Sequence, residues 1–420
     1  MRRRLAMAIG LCVVMGSLVV MGTGTLAAAG GSPAPIVVGG DGDLAIAAGV
    51  AQGFEAGIVR FNNAGGLDGR KIKFLGVLDD GFSAQTNLTN AQKLVENDHV
   101  MAVAPMISET AGSATGTFMA QSHTPFIGWA VNAAFAAAPT WGLGIDGLQI
   151  NPAIQALGSK KSLFDPPTKE KIAFIAENVA GAVSANDALA AVAKIEGADV
   201  VYRNAPIPVI GTTSYAPYAQ AIIASGANVA FEALDSADAL GLAAALKAAG
   251  FKGAIENGVT YYPGELVGQP NEAAALAHVY VADLFPADEN DTKAVKQAEK
   301  DLDAVGQAPD LTSGVSVGYW SAIVFEQMLR ATLKSVGGDA AKVTSVTLDN
   351  MVNKGFTYKD PIAGGIGTEY FPAAEKVPTG CSTLLQVEGT TYRQVTPYAC
   401  YGAIDSVTRK KVNEKTGADD

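Results

Sequence analysis

Residues 314–318 read Gly-Val-Ser-Val-Gly, the G-x-S-x-G spacing that in hydrolases lifts a serine nucleophile onto a sharp strand-to-helix turn, which makes Ser316 the first residue to weigh for covalent chemistry. Its context opposes that use. A nucleophile elbow needs a buried strand before it, whereas residues 308–312 are the polar run Ala-Pro-Asp-Leu-Thr and residues 319–333 form an ordinary amphipathic helix pattern. Acid–base and metal chemistry are also poorly supplied. The three histidines, His99, His123 and His278, fall at a helix end, a loop and a strand start, with no ligand spacing among them. No G-x-x-x-x-G-K-[ST] phosphate loop is present, and Gly39-Gly40-Asp41-Gly42 lacks the G-x-G-x-x-G spacing although it follows an apolar strand. The chain therefore reads as a non-enzyme with no cofactor and no metal, a hydrolase using Ser316 being the enzymatic alternative.

The remaining polar residues offer binding. Ser108 and Thr110 follow the apolar run from Val100 to Ile107 in a helix-start pattern, where hydroxyls and free amides suit a ligand carboxylate. The rival role for Ser108 is a cap for its own helix, and Glu109 between the two adds negative charge. Trp129 and Asn132 end the apolar run that begins at Pro125. Trp129 is placed either to stack on an apolar or aromatic ligand or to pack in the core. Further on, strand ends deliver Glu177 and Asn178, then Asp235 and Ser236, then Asn257 and the Tyr261-Tyr262 pair. Asp235 reads equally as a partner for a ligand ammonium and as a helix cap, and Tyr261 as a ligand contact or a hinge cover.

The elements that must carry these residues alternate as strand, turn and amphipathic helix from Pro35 onward. Strands are expected at Pro35–Gly40, Lys71–Leu78, Val100–Ile107 and Pro125–Val131. Between them lie a helix with Val50, Phe54, Ile58 and Phe61 on one face and a helix over Ser83–Val95. The rhythm breaks between Ile150 and Pro167 and restarts at Lys171 with KIAFIAEN. It then runs through strands near 199–202, 229–234 and 253–257, with helices between them, to a further strand at His278–Phe285. Two helices follow with no strand between them, near Thr292–Val305 and Tyr319–Ser335, and read as the chain returning to its first sheet. The alternation implies α/β architecture with parallel sheets covered on both faces.

Arg2, Arg3 and Arg4, an apolar stretch to about Val20 and the small residues Ala27, Ala28 and Ala29 read as a secretory signal over residues 1–29. Leu11 before Cys12 does not fit the pattern of a lipid-anchoring site. Without that segment the chain carries 27 basic and 41 acidic groups, a net charge of −14, which argues against a nucleic-acid partner. Two cysteines then remain, Cys381 and Cys400, and an exported chain would oxidise such a pair to a disulfide closing a C-terminal hairpin.

The run GFEAGIVRFNNAGGLDGRKIKFLGVLDD, together with QKLVENDHVMAVAP, KIAFIAEN, GTTSYAPYAQAIIASGANVAFEALDSADALGLAAALKAAGFKGAIENG and LLQVEGTTYRQV, resembles type I periplasmic binding proteins of ABC transporters, most nearly the branched-chain amino-acid receptor group. The resemblance implies two Rossmann-like lobes joined by a three-crossing hinge, with ligand held in the cleft between them. The first lobe would span residues 33–150 plus about 286–360 and the second 151–285 plus about 361–403, with 404–420 a flexible tail. It implies an exported monomer, periplasmic or extracellular, that hands an amino acid or another small carboxylate or amphipathic compound to permease subunits. A ligand sensor on the same fold is the alternative. The family's ligand-covering tyrosine is replaced here by Ala180, and its usual polar run after the fourth strand by Gly128-Trp129-Ala130-Val131-Asn132, which points away from ordinary branched-chain amino acids.

Overall fold

The computed structural model describes residues 33–129, 143–146, 169–209, 211–258, 261, 263, 270–354, 356–359, 367–370, 381–400, 403–404 and 411–412. The expected signal segment with Cys12, the break after Ile150, Asn132 and Tyr262 lie outside the described residues.

The first part of the chain runs β1 (Ile36–Gly42), α1 (Val50–Asn63), β2 (Ile72–Asp79), α2 (Ala84–Gln92), β3 (Ala102–Ile107), α3 (Ser113–Gln121), β4 (Phe126–Trp129) and β5 (Leu143–Asp146). Its five strands pair in the order β2-β1-β3-β4-β5, all parallel. Successive residues of β1 serve opposite cores: Ile36 and Val38 pack on the α1 side and Val37 on the other. A strand buried on both faces needs an apolar run, and PIVVGG is one.

The second series is β6 (Lys171–Glu177), α4 (Ala180–Ile195), β7 (Asp199–Ile207), α5 (Ala216–Ala224), β8 (Val229–Ala233), α6 (Ser236–Ala248), β9 (Ala254–Asn257), α7 (Pro270–Leu276) and β10 (Tyr280–Asp283). These strands pair in parallel, and the sheet is extended on the β10 side by an antiparallel hairpin, giving the order β14-β13-β10-β9-β8-β6-β7. Its cores again divide by alternation, Ile172, Phe174 and Ala176 on one face and Ala173 and Ile175 on the other.

The chain then supplies α8 (Lys293–Ala304), α9 (Ser313–Ser335), α10 (Ser345–Asn353), a strand pair β11 (Phe356–Lys359) with β12 (Gly367–Tyr370), and the hairpin β13 (Cys381–Glu388) with β14 (Thr391–Cys400). The three helices return to the first sheet, two of them as read from the sequence and α10 in addition: Val295, Leu302, Phe325, Met328 and Leu348 share a core with Phe54, Ile58 and Phe61 of α1. Two short strands, β15 (Ala403–Ile404) and β16 (Lys411–Val412), pair where the second lobe was read to end and the tail, 404–420, to begin.

Three expectations change. The helix read from Tyr319 begins six residues earlier, because Thr312 caps it by accepting from the Val315 N–H at 3.3 Å. The Gly-Val-Ser-Val-Gly motif is therefore the first turns of a buried helix, and its glycines let α9 lie against α1. A Cβ at Gly318 would strike the Val50 carbonyl, and one at Gly314 the Ala48 carbonyl. Ser316 is fully buried and its hydroxyl donates to the Leu311 carbonyl at 3.3 Å. The helix expected at Ser108 starts at Ser113, after a bend that ends in extended Gly112. Strand β5 has no counterpart in the sequence reading.

Candidate functional site

Parallel strands of an open α/β sheet present ligands at their carboxyl ends, where backbone groups are left unpaired. At that edge of the first sheet, Asp43, one residue past β1, accepts hydrogen bonds from the N–H of Phe82 at 2.6 Å and of Glu109 at 2.9 Å, and so ties together the loops after β2 and β3. Asp41 accepts from Asn87 and Asn90, each at 2.9 Å, and Asn87 also donates to Asp80. Burial, above all, pushes Asp41 up to about 8 and Asp43 to about 8, with the neighbouring Asp80 adding to both.

Ser108 follows β3 and is fully buried. Its Oγ accepts from the N–H groups of Thr110, at 3.2 Å, and Ala111, at 3.0 Å. This oxygen thus closes a local turn rather than capping a helix.

At the edge of the second sheet, Glu177 ends β6 and Asp235 precedes α6. The Glu177 Oε1 accepts from the Asp235 N–H at 2.6 Å, and Asp235 caps its helix by accepting from the Asp238 N–H at 2.8 Å. Asp238 in turn accepts from the Tyr215 hydroxyl. The cap reading of Asp235 holds, and it leaves one oxygen of each carboxylate outside these bonds. Burial is the main cause holding Glu177 up at about 8, with Glu109, Asp235 and Asp238 adding repulsion. Asp238 is likewise raised by burial.

The two edges meet. The Glu109 carbonyl accepts from the Gly181 N–H, in the first turn of α4, at 3.0 Å. The Glu109 carboxyl is pushed up to about 7 by burial first and by Asp235 second, which places it within electrostatic reach of the second sheet's acids. Among the described residues, no lysine or arginine is ion-paired with Glu109, Glu177, Asp235 or Asp238. The junction is acidic on both sides.

Of the other residues singled out from the sequence, Thr110 is half-buried beside Ser108 and Trp129 is 9 % exposed at the end of β4, packed in the α1-side core. Asn178 is exposed next to Glu177, Ser236 opens α6, and Asn257 is buried at the end of β9. Tyr261 is fully buried. Its hydroxyl donates to Glu289 at 2.7 Å and accepts from the Asp288 N–H at 3.1 Å, while its backbone exchanges hydrogen bonds with Ser313. Residues not anticipated are Asp43, Gly181, Tyr215 and Asp238. Only Asp238 left a trace, as the second acid of Asp-Ser-Ala-Asp at a helix start.

The family model described as periplasmic binding protein matches residues 37–391. Among solved structures, the chain is similar to the solute-binding protein of an ABC transporter from R. palustris in complex with 4-hydroxybenzoate, at 20% identity, covering 87% of this chain and 96% of that one with a TM-score of 0.66. It is similar also to a fatty acid ABC transporter substrate-binding protein from Thermomonospora curvata, at 18% identity, 87% and 92% coverage and a TM-score of 0.68. A third is an R. palustris solute-binding protein in complex with benzoate, at 16% identity, 87% and 97% coverage and a TM-score of 0.63. A search of the curated proteins finds no match. Likeness at this identity speaks for the fold, and the family match spans most of the chain: it belongs to the periplasmic binding protein family, on the type I fold of two α/β lobes.

Proposed function

We propose that the protein is an extracytoplasmic receptor that carries a small solute to the permease subunits of an ABC importer, binding without turnover. The carrying observation is the meeting of the two sheets' carboxyl edges at Glu109 and Gly181, in a chain matched to the family from residue 37 to 391. The signal-like N-terminus supports export. The described structural relatives bind benzoate and 4-hydroxybenzoate, or are named for fatty acids, which supports a small carboxylate or amphipathic compound here, an amino acid included.

The lobe boundaries read from the sequence, the second crossing near residue 286 and the third near 361, are part of this proposal. So are the ligand contacts: Ser108, Thr110, Trp129 and Asn132 from the first lobe, and Glu177, Asn178, Asp235, Ser236 and Asn257 from the second. Three of the junction's four acids, Glu177, Asp235 and Asp238, come from the second lobe, so a ligand carboxylate would turn toward the Ser108–Thr110 side and its apolar body toward Trp129. The Cys381–Cys400 disulfide is supported by register, since the two residues are direct partners across β13 and β14, where Cα atoms lie about 4.5–5.5 Å apart.

A thermal-shift screen of the protein against aromatic acids, fatty acids, amino acids and sugars tests the reading, with hits confirmed by calorimetry. A ligand at 100 times its Kd stabilises a one-site protein by about 2.7 kcal/mol. One responding class would establish the receptor; sustained turnover of any compound would overturn it.

A further inference from the structure

The acidic junction invites an occupant of its own. We propose that Glu177, Asp235 and Asp238 form a site for a divalent, oxygen-preferring cation of about calcium size, faced by Glu109 from the opposite lobe. One carboxylate oxygen from each of the three lies within 4.8 Å of the other two. An ion held about 2.3–2.6 Å from its oxygens allows two of them to stand as much as about 5 Å apart, so a single ion of that size reaches all three.

Each carboxylate is already oriented. Glu177 is fixed through the Asp235 N–H, Asp235 through the Asp238 N–H, and Asp238 through the Tyr215 hydroxyl. A strand end, a helix cap and a first helical turn therefore hold the three groups on rigid elements, each with a second oxygen outside these bonds.

An independent observation points to the same occupant. Asp238 is 2 % exposed, yet its buried Oδ2 has no hydrogen-bond partner among the described residues, and neither has the buried Oε2 of Glu109. Buried carboxylate oxygens are ordinarily satisfied, because an unpaired one forfeits its hydration without compensation. Glu109 comes from the first lobe and feels Asp235 and Glu177 across the junction. A divalent ion would offset two of the converging charges where an organic ammonium would offset one. The same ion would draw the lobes together.

The test uses metal alone. The protein is stripped with a chelator, exchanged into metal-free buffer and titrated with calcium chloride by calorimetry, with Tm followed in parallel. The expected result is one saturable site and a Tm rise of about 2–4 °C near saturation. Asp238→Asn and Glu177→Gln should each weaken calcium at least about tenfold, while Asp41→Asn, in the separate acidic cluster of the first lobe, should leave the affinity unchanged. Circular dichroism without metal checks that each variant folds, and either of the first two suffices for the comparison. The site is overturned by no saturable calcium signal up to ~10 mM, by equal affinities in the wild type and the two variants, or by a response to putrescine and none to calcium, which would assign the acids to an amine on the solute. Because no solute is present, failure here leaves the transport reading standing, and a solute screen without hits leaves the metal site standing.

Discussion

The Glu109 carbonyl and the Gly181 N–H, 3.0 Å apart, join the loop after β3 to the first turn of α4 and so connect the two halves of the molecule directly. The contact depends on a bare Cα. A Cβ at Gly181 would lie 2.9 Å from the Glu109 carbonyl oxygen and 3.0 Å from its Cα, both backbone atoms that cannot swing aside.

Gly181→Ala should therefore separate two effects. Alanine is the better helix former by about 1 kcal/mol, so stability should hold or rise slightly. Closure should suffer, with solute affinity falling about tenfold for each 1.4 kcal/mol of lost contact. Small-angle scattering of the ligand-saturated variant should show a larger radius of gyration than the wild type; identical affinity and radius would remove Gly181 from the closing surface.

Trp129 joins the core to the sheet edge. Trp129→Ala should cost about 3–5 kcal/mol, read by denaturant unfolding. Trp129→Phe should keep most of that stability yet weaken an aromatic or apolar solute. Equal affinity in Trp129→Phe and wild type would confine the residue to packing.

Stability should fall as pH rises. Asp41 and Asp43 have folded-state values raised by burial to about 8, and Asp283 to about 7, against the ordinary aspartate value of 3.8 in the unfolded chain. The folded state thus binds more protons than the unfolded one between these limits, and the linked stability is present below the unfolded value and lost as pH climbs through the folded ones. Tm should be higher at pH 5 than at pH 8, and Asp41→Asn should flatten the slope. A Tm that increases from pH 5 to pH 8 would contradict the burial of these acids in neutral form.

The Gly-Val-Ser-Val-Gly motif should prove to be packing. Ser316→Ala removes only a hydroxyl bonded to the Leu311 carbonyl, at a cost of about 1 kcal/mol, and should leave solute binding unaltered. Gly318→Ala drives a methyl into the Val50 carbonyl at the α1–α9 crossing and should cost about 1–3 kcal/mol or more. Chemical denaturation of both variants measures the contrast.

Local pattern alone determined a good deal of this protein. Apolar runs such as KIAFIAEN specify strands buried on both faces, the spacing of Val50, Phe54, Ile58 and Phe61 specifies α1, and Asp235 offers a helix cap before Ser236. Each follows from side-chain period or from hydrogen bonding within a few residues, and the order of the elements carried the family resemblance. What the tertiary structure alone decided lies between elements. The polar lead-in at residues 308–312 already argues against a catalytic turn at residues 314–318, but that their glycines serve the packing on α1 emerges only when the two helices are laid together. Ser108 looks like a helix cap until the chain bends to Gly112. No ligand spacing announces Glu177, Asp235 and Asp238, because their carboxylates converge from the ends of two different strands and the first turn of a helix. Glu109 and Gly181 are 72 positions apart in sequence, and their contact exists only because parallel sheets direct the carboxyl ends of both to one junction. Periodicity reports which face of an element is buried; it carries no information about which strand end faces which, and the Glu109–Gly181 junction is set at that level.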